Sequence, residues 1–172
     1  MSITVAESAG FCFGVSRAVE LVEEAAKAGK KVATLGPIIH NRHAVNRFEE
    51  MGVQVISAPE EATPGSTVII RSHGVTKAVY ERLENMGVEI VDATCPFVQK
   101  IHRIVEEKSA EGYTIIIVGS ASHPEVEGIR SWCQGRAFVI KTLEEAQNLE
   151  ISADEKVCVV SQTTFNYKKF KD

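Results

Sequence analysis

Two stretches decide how this chain is read: TLGPIIHN at 34–41 and IVGSASHP at 117–124. Each closes an apolar run on a glycine and then reaches a histidine, Gly36 to His40 and Gly119 to His123. The two glycines lie 83 residues apart (119 − 36), and so do the two histidines (123 − 40). Cys12 and Cys95 keep the same interval (95 − 12), and each precedes an amphipathic stretch. Matching residue types at one fixed interval mark an internal duplication. A looser correspondence joins VIIRSHGVT (68–76) to VCVVSQTTF (157–165), shifted by 89.

Working outward, short β-branched runs alternate with amphipathic segments. Strands are predicted at Ile3–Ala6, Lys31–Leu35, Thr67–Arg71, Glu89–Val91, Tyr113–Val118, Ala137–Ile140 and Lys156–Ser161. Helices are predicted from about Val15, with Val15, Ala18, Val19 and Val22 on one face, and from Pro96, with Phe97, Ile101, Ile104 and Val105 inward. Further helices are expected over 41–51, 76–86, 124–132 and 142–149. Alternating strands and helices imply α/β architecture with mostly parallel sheets covered by helices. The repeat divides the chain into a first α/β lobe, 1–95, and a second, 96–172, incomplete at its C-terminus. In the first copy the His73 strand is followed by a helix, a strand and Cys95. A third cysteine is therefore expected about 20 to 30 residues beyond Asp172.

Composition sets limits. The 172 residues are 44% hydrophobic and 24% charged, enough for an ordinary buried core. A net charge of −4 argues against a broad nucleic-acid surface, while leaving room for a local anion site. No apolar run approaches the roughly 18 residues that span a bilayer, and the N-terminus lacks the pattern of a secretory signal. No membrane partner is expected, and the expected location is cytoplasmic, with reduced thiols. None of the four cysteines forms a C-x-x-C, which weakens zinc-ribbon and thioredoxin readings. No G-x-G-x-x-G or Walker loop argues for a nucleotide cofactor.

The unusual residues sit at strand ends, where parallel α/β units bind ligands. Cys12 lies in GFCFGV just before a helix; Cys95 lies directly before Pro96, which favours the first helical position. The positive end of a helix favours thiolate, the form that ligates iron. Cys158 lies inside an apolar strand and Cys133 at a helix end, so both read as packing. His40, His73 and His123 stand beside helix starts or strand ends, an arrangement suited to a diphosphate. His43 and His102 lie off the strand ends and read as structural. Glu125, in HPEVEG, falls in a first helical turn; it serves either the helix dipole or proton delivery in a buried site. Glu127 is the competing carboxylate, turned away by a two-residue step. Thr163 and Thr164 offer hydroxyls for a ligand or a helix cap.

In order, GFCFGVSRA, GPIIHNRHAV, SHGV, VDATCPFVQKIH, GSASHPEVEG and VVSQTT span nearly the whole chain. Together they resemble 4-hydroxy-3-methylbut-2-enyl diphosphate reductase, the last enzyme of the non-mevalonate isoprenoid pathway. The resemblance implies a three-lobed, trefoil-like arrangement of α/β units around a 4Fe-4S cluster held by three cysteines. Cys12 and Cys95 match two of those ligands; the third ligand and the third lobe are absent from these residues. His40, His73, His123 and Thr163 match substrate-contacting positions, and Glu125 matches the acid that supplies protons. The implied reaction removes the hydroxyl of an allylic diphosphate with two electrons from ferredoxin or flavodoxin. It yields isopentenyl and dimethylallyl diphosphate. The 172 residues alone are expected to be inactive and, with a lobe face uncovered, to self-associate. The alternatives are a non-catalytic remnant or diphosphate-binding module, and a histidine-dependent phosphatase.

Overall fold

A computed structural model of the chain describes residues 2–7, 9–39 and 41–171. The first unit runs α1 (Phe13–Lys27), β1 (Val32–Leu35), α2 (Arg42–Glu50), β2 (Gln54–Ile56), a 3-10 turn at Pro59–Glu61, β3 (Thr67–Ile70), α3 (Lys77–Asn85) and β4 (Glu89–Asp92). The second runs α4 (Pro96–Ala110), β5 (Thr114–Val118), α5 (Pro124–Ser131), β6 (Ala137–Ile140), α6 (Leu143–Gln147), β7 (Val157–Ser161) and α7 (Tyr167–Lys171). The strands form two sheets, β2-β1-β3-β4 and β6-β5-β7, and every pairing is parallel.

The duplication is visible in the topology. β1 lies between β2 and β3 as β5 lies between β6 and β7. The ladders set the correspondence of the outer strands: Leu35 pairs with Ile70, and Val118 pairs with Ser161. The shift is therefore 91 (161 − 70), two residues more than the sequence alignment gave. Arg71 and Gln162, rather than His73 and Gln162, occupy equivalent places.

β1 and β3 are buried on both faces, as strands covered by helices on each side must be. Val32 and Ile69 face α1, packing against Ala18, Val22 and Ala93. Leu35, Val68 and Ile70 face α3 through Leu83. In the second unit Ile115, Ile117 and Val160 pack against Val105 of α4 and Val126 and Ile129 of α5.

Two expectations are corrected and one strand is added. Ile3–Ala6 is not a strand; no neighbouring strand among the described residues takes it up, and Ile3 and Val5 are exposed. Phe97 points outward, 66% exposed, because α4 buries Val98, His102, Val105 and Ser109 instead. The short strand β2 was not foreseen: its run, Gln54–Ile56, has one buried residue.

The buried face of α4 places an imidazole in the core. His102 stacks on Trp132, with centroids 5.4 Å apart and planes at 19°. Burial pushes its pKa down from 6.5 to about 4, against the upward pull of Asp92 and Glu106. Between these values the unfolded chain binds a proton that the folded chain refuses. Stability from this residue is therefore complete above the ordinary histidine range and is lost as pH falls toward 4. At about 1.36 kcal/mol per pH unit the loss reaches about 3 kcal/mol. Urea denaturation at about pH 7 and pH 4.5 is expected to show this loss in the parent chain and a smaller one in His102→Leu.

Candidate functional site

Parallel pairing brings the C-terminal ends of β1, β3 and β4 to one edge of the first sheet, and those of β5 and β7 to one edge of the second. The loops at these ends carry most of the residues singled out in the sequence.

Cys95 is the N-cap of α4, with Pro96 at its first position; Cys12 is the N-cap of α1 and is exposed. The loop before Cys95 is held firmly. Its Cys95 amide donates to the Ser72 carbonyl at 2.9 Å. Asp92 accepts from the Thr94 amide at 2.9 Å and from the Gln99 side chain at 2.8 Å. Arg17 of α1 donates to the Asp92 and Thr94 carbonyls, both at 3.3 Å. The Cys95 sulfur lies against the first turn of α1: a Cβ on Gly14 would stand 2.6 Å from it. Gly14 is thus required as glycine by the approach of Cys95, and that approach brings Cys95 to the helix that Cys12 caps.

His73 and His123 meet across the two units edge to face, with ring centroids 5.6 Å apart at 68°. His123 Nδ1 accepts the Glu125 amide at 3.2 Å and so caps α5. An imidazole that accepts at Nδ1 carries its proton on Nε2. Glu125 is 2% exposed. Its carboxylate accepts twice from one residue, the Thr163 amide at 2.6 Å and the Thr163 hydroxyl at 2.9 Å. This bond joins the end of β7 to the first turn of α5. Thr164 takes another part, accepting from Gln162 Nε2 at 2.9 Å. Glu127 is exposed and shares none of these contacts.

His40 lies outside the described residues, and His43 is exposed. Cys133 and Cys158 are partly buried and pack against the core of the second unit. Burial pushes the Cys133 thiol up to about 11, and Cys158 is raised for the same reason. Among the described residues no group of three or more His, Cys, Asp or Glu side chains is arranged to hold a metal ion. No helix among them is long and apolar enough to cross a membrane.

Two further residues matter to this geometry: His102, expected to be structural, and Arg17, which stands in no motif. His102 sits under the site: a Cβ on Gly74, next to His73, would come 3.0 Å from its ring. Its spacing with Val98, Val105 and Ser109 was the available signal, since 98, 102, 105 and 109 share one helical face. Arg17 gave no signal beyond its place five residues after Cys12.

A family model described as LytB protein matches residues 3–172. The chain belongs to the LytB family. Among LytB relatives, a protein of Caldanaerobacter subterraneus subsp. tengcongensis named 4-hydroxy-3-methylbut-2-enyl diphosphate reductase is 49% identical over 176 residues, which cover 100% of this chain and 60% of the relative. A protein of the same name from Clostridioides difficile is 44% identical, over 96% of this chain and 60% of its own length. The chain therefore spans about 60% of the length of these curated relatives. A solved E-1-hydroxy-2-methyl-but-2-enyl-4-diphosphate reductase from Plasmodium falciparum superposes with a TM-score of 0.90 at 30% identity, over 96% of this chain and 52% of that one. A second solved reductase, described as the terminal enzyme of the non-mevalonate pathway, superposes with a TM-score of 0.83 at 46% identity, over 98% and 60%. The parallel α/β units read from the sequence are those of the LytB fold.

The Glu125–Thr163 bond yields a direct test. Thr163→Val removes the hydroxyl donor to a buried carboxylate and is expected to cost about 1.5–3 kcal/mol. Thr163→Ser keeps the donor and should recover most of it. Urea denaturation of the three chains compares them.

Proposed function

We propose that this chain supplies the greater part of the active site of a 4-hydroxy-3-methylbut-2-enyl diphosphate reductase. The reaction removes the allylic hydroxyl as water, with two electrons and two protons, to give isopentenyl and dimethylallyl diphosphate. The observation that carries this reading is the buried Glu125 carboxylate, held at both oxygens by Thr163 beside the His73–His123 pair.

Cys12 and Cys95 would hold an iron–sulfur cluster of the 4Fe-4S type. Two observations support the fit. Both thiols stand at helix N-termini, on helices that the chain brings together. The bare backbone of Gly14 lets the Cys95 sulfur reach the helix that Cys12 caps. A third thiolate would come from outside these residues. When bound, such a cluster supplies single electrons and an open iron with Lewis acidity.

The chain's own residues account for binding and proton handling. His73 and His123, with His40, offer N–H donors to the diphosphate, which anchors the substrate far from its reacting end. Glu125 passes a proton to the leaving oxygen. Thr163 fixes the carboxyl through its amide and hydroxyl, so that Glu125 meets one position rather than several. Residues 1–95 and 96–172 act as two lobes that close over the substrate from either side. Electrons arrive singly, from ferredoxin or flavodoxin, and the location is cytoplasmic.

The test joins residues 1–172 to the remaining portion of the Caldanaerobacter relative and purifies the chimera without oxygen. Turnover of 4-hydroxy-3-methylbut-2-enyl diphosphate is expected with a low-potential reductant. Glu125→Gln should lower kcat by at least about 100-fold, the usual share of a positioned acid. A chimera that binds its cluster but leaves the substrate unchanged would contradict the reading.

A further inference from the structure

Arg71 is a cation with no acceptor among the described residues. It follows β3 directly and is only partly exposed. Its Nε is shielded from solvent and has no hydrogen-bond partner, and the side chain forms no ion pair among the described residues. A guanidinium is charged at every ordinary pH, and buried charges are normally paired.

The duplicated fold provides an internal comparison. By the strand ladders, Gln162 is the counterpart of Arg71. Both side chains lie over the glycine that follows the central strand. A Cβ on Gly36 would meet Arg71 Nη1 at 2.8 Å, and a Cβ on Gly119 would meet Gln162 Oε1 at 3.1 Å. Gln162 engages both ends of its amide, accepting from the Ser120 amide at 3.3 Å and donating to Thr164 Oγ1 at 2.9 Å. The position thus has a structural solution, and the second unit adopts it. The first unit does not. Pro37 stands where Ser120 does (120 − 83) and has no N–H to give. A permanent charge has taken the place of a satisfied amide.

Beside Arg71 is a cleft of about 160 Å³, bordered by Gly36, Gly74, Pro124 and Glu127. At roughly 30 Å³ per water this is room for about five water-sized groups, the heavy-atom count of a phosphate. Gly74 and Pro124, which border the cleft, directly follow His73 and His123 in the chain. Glu127 is the opposing charge on its wall, but it is exposed and screened by water. The planar guanidinium fork matches two oxygens of a phosphoryl group.

We propose that Arg71 binds a phosphoryl oxyanion in this cleft, next to the His73–His123 pair. The inference rests on the diphosphate reading of that pair and adds to it a charged ligand from the turn after β3.

The test is calorimetric titration of the 172-residue chain with inorganic phosphate and with pyrophosphate, using Arg71→Gln, Arg71→Lys and the double variant His73→Ala, His123→Asn. Glutamine is the residue the second unit holds in this place, so Arg71→Gln is expected to fold, as urea denaturation would verify. Arg71→Gln should weaken phosphate binding at least tenfold, with Arg71→Lys between it and the parent. An equal or larger loss for pyrophosphate identifies the ligand as a diphosphate that spans both groups; a loss for phosphate alone identifies a free phosphate. If Arg71→Gln binds both anions like the parent while the histidine variant loses pyrophosphate, the assignment of Arg71 is wrong and the histidine reading stands. If the histidine variant binds like the parent and Arg71→Gln does not, the histidine reading fails and Arg71 stands. A parent chain that binds neither anion overturns both.

Discussion

Parallel strand pairing is the constraint on which the rest of this molecule depends. It obliges each strand to be reached by a covering helix, so every strand in a sheet ends at the same edge. β1, β3 and β4 therefore deliver their following loops together, and β5 and β7 do the same in the second sheet. Cysteines, histidines and a carboxylate that lie up to 113 residues apart (125 − 12) reach neighbouring loops without any long excursion of the chain. α4 joins the two halves: its N-cap Cys95 closes the first sheet and its buried face opens the second.

Duplication explains why the site is two-sided. Each unit places a glycine after its central strand and seats the side chain of the adjacent strand over it. The second unit fills that arrangement with hydrogen bonds internal to the fold. The first unit retains the backbone and changes the chemistry. Under the proposed function, divergence after duplication would leave one lobe to handle protons, through Glu125 and Thr163, and the other to meet charge, through Arg71 and His73. The shared imidazole contact between His73 and His123 marks the seam.

Much of this was legible in the sequence because the signals were local. Pro96 announced the helix that Cys95 caps, and the glycines and β-branched runs announced the strand ends. The interval of 83 announced the repeat. Failures came where tertiary packing decides. Ile3–Ala6 has strand composition but no strand beside it. Phe97 looked inward, yet α4 is rotated by one position and sets Val98 and His102 into the core. The offset of 89 read for the outer strands was corrected to 91 by ladder register, which no residue pattern in VCVVSQTTF reveals. The bond between Thr163 and Glu125 depends on how β7 ends beside α5, and spacing alone could not pair them.

In the proposed function Cys12 and Cys95 form one metal site, while Cys133 and Cys158 pack against the core of the second unit. Anaerobic titration with cobalt(II), read by thiolate-to-metal charge-transfer absorption, tests it most directly. The expected result is an absorption that Cys12→Ser and Cys95→Ser each diminish sharply and that Cys133→Ser and Cys158→Ser leave in place. Absorption that survives the Cys12, Cys95 double substitution, or that disappears with Cys133 or Cys158, would contradict it.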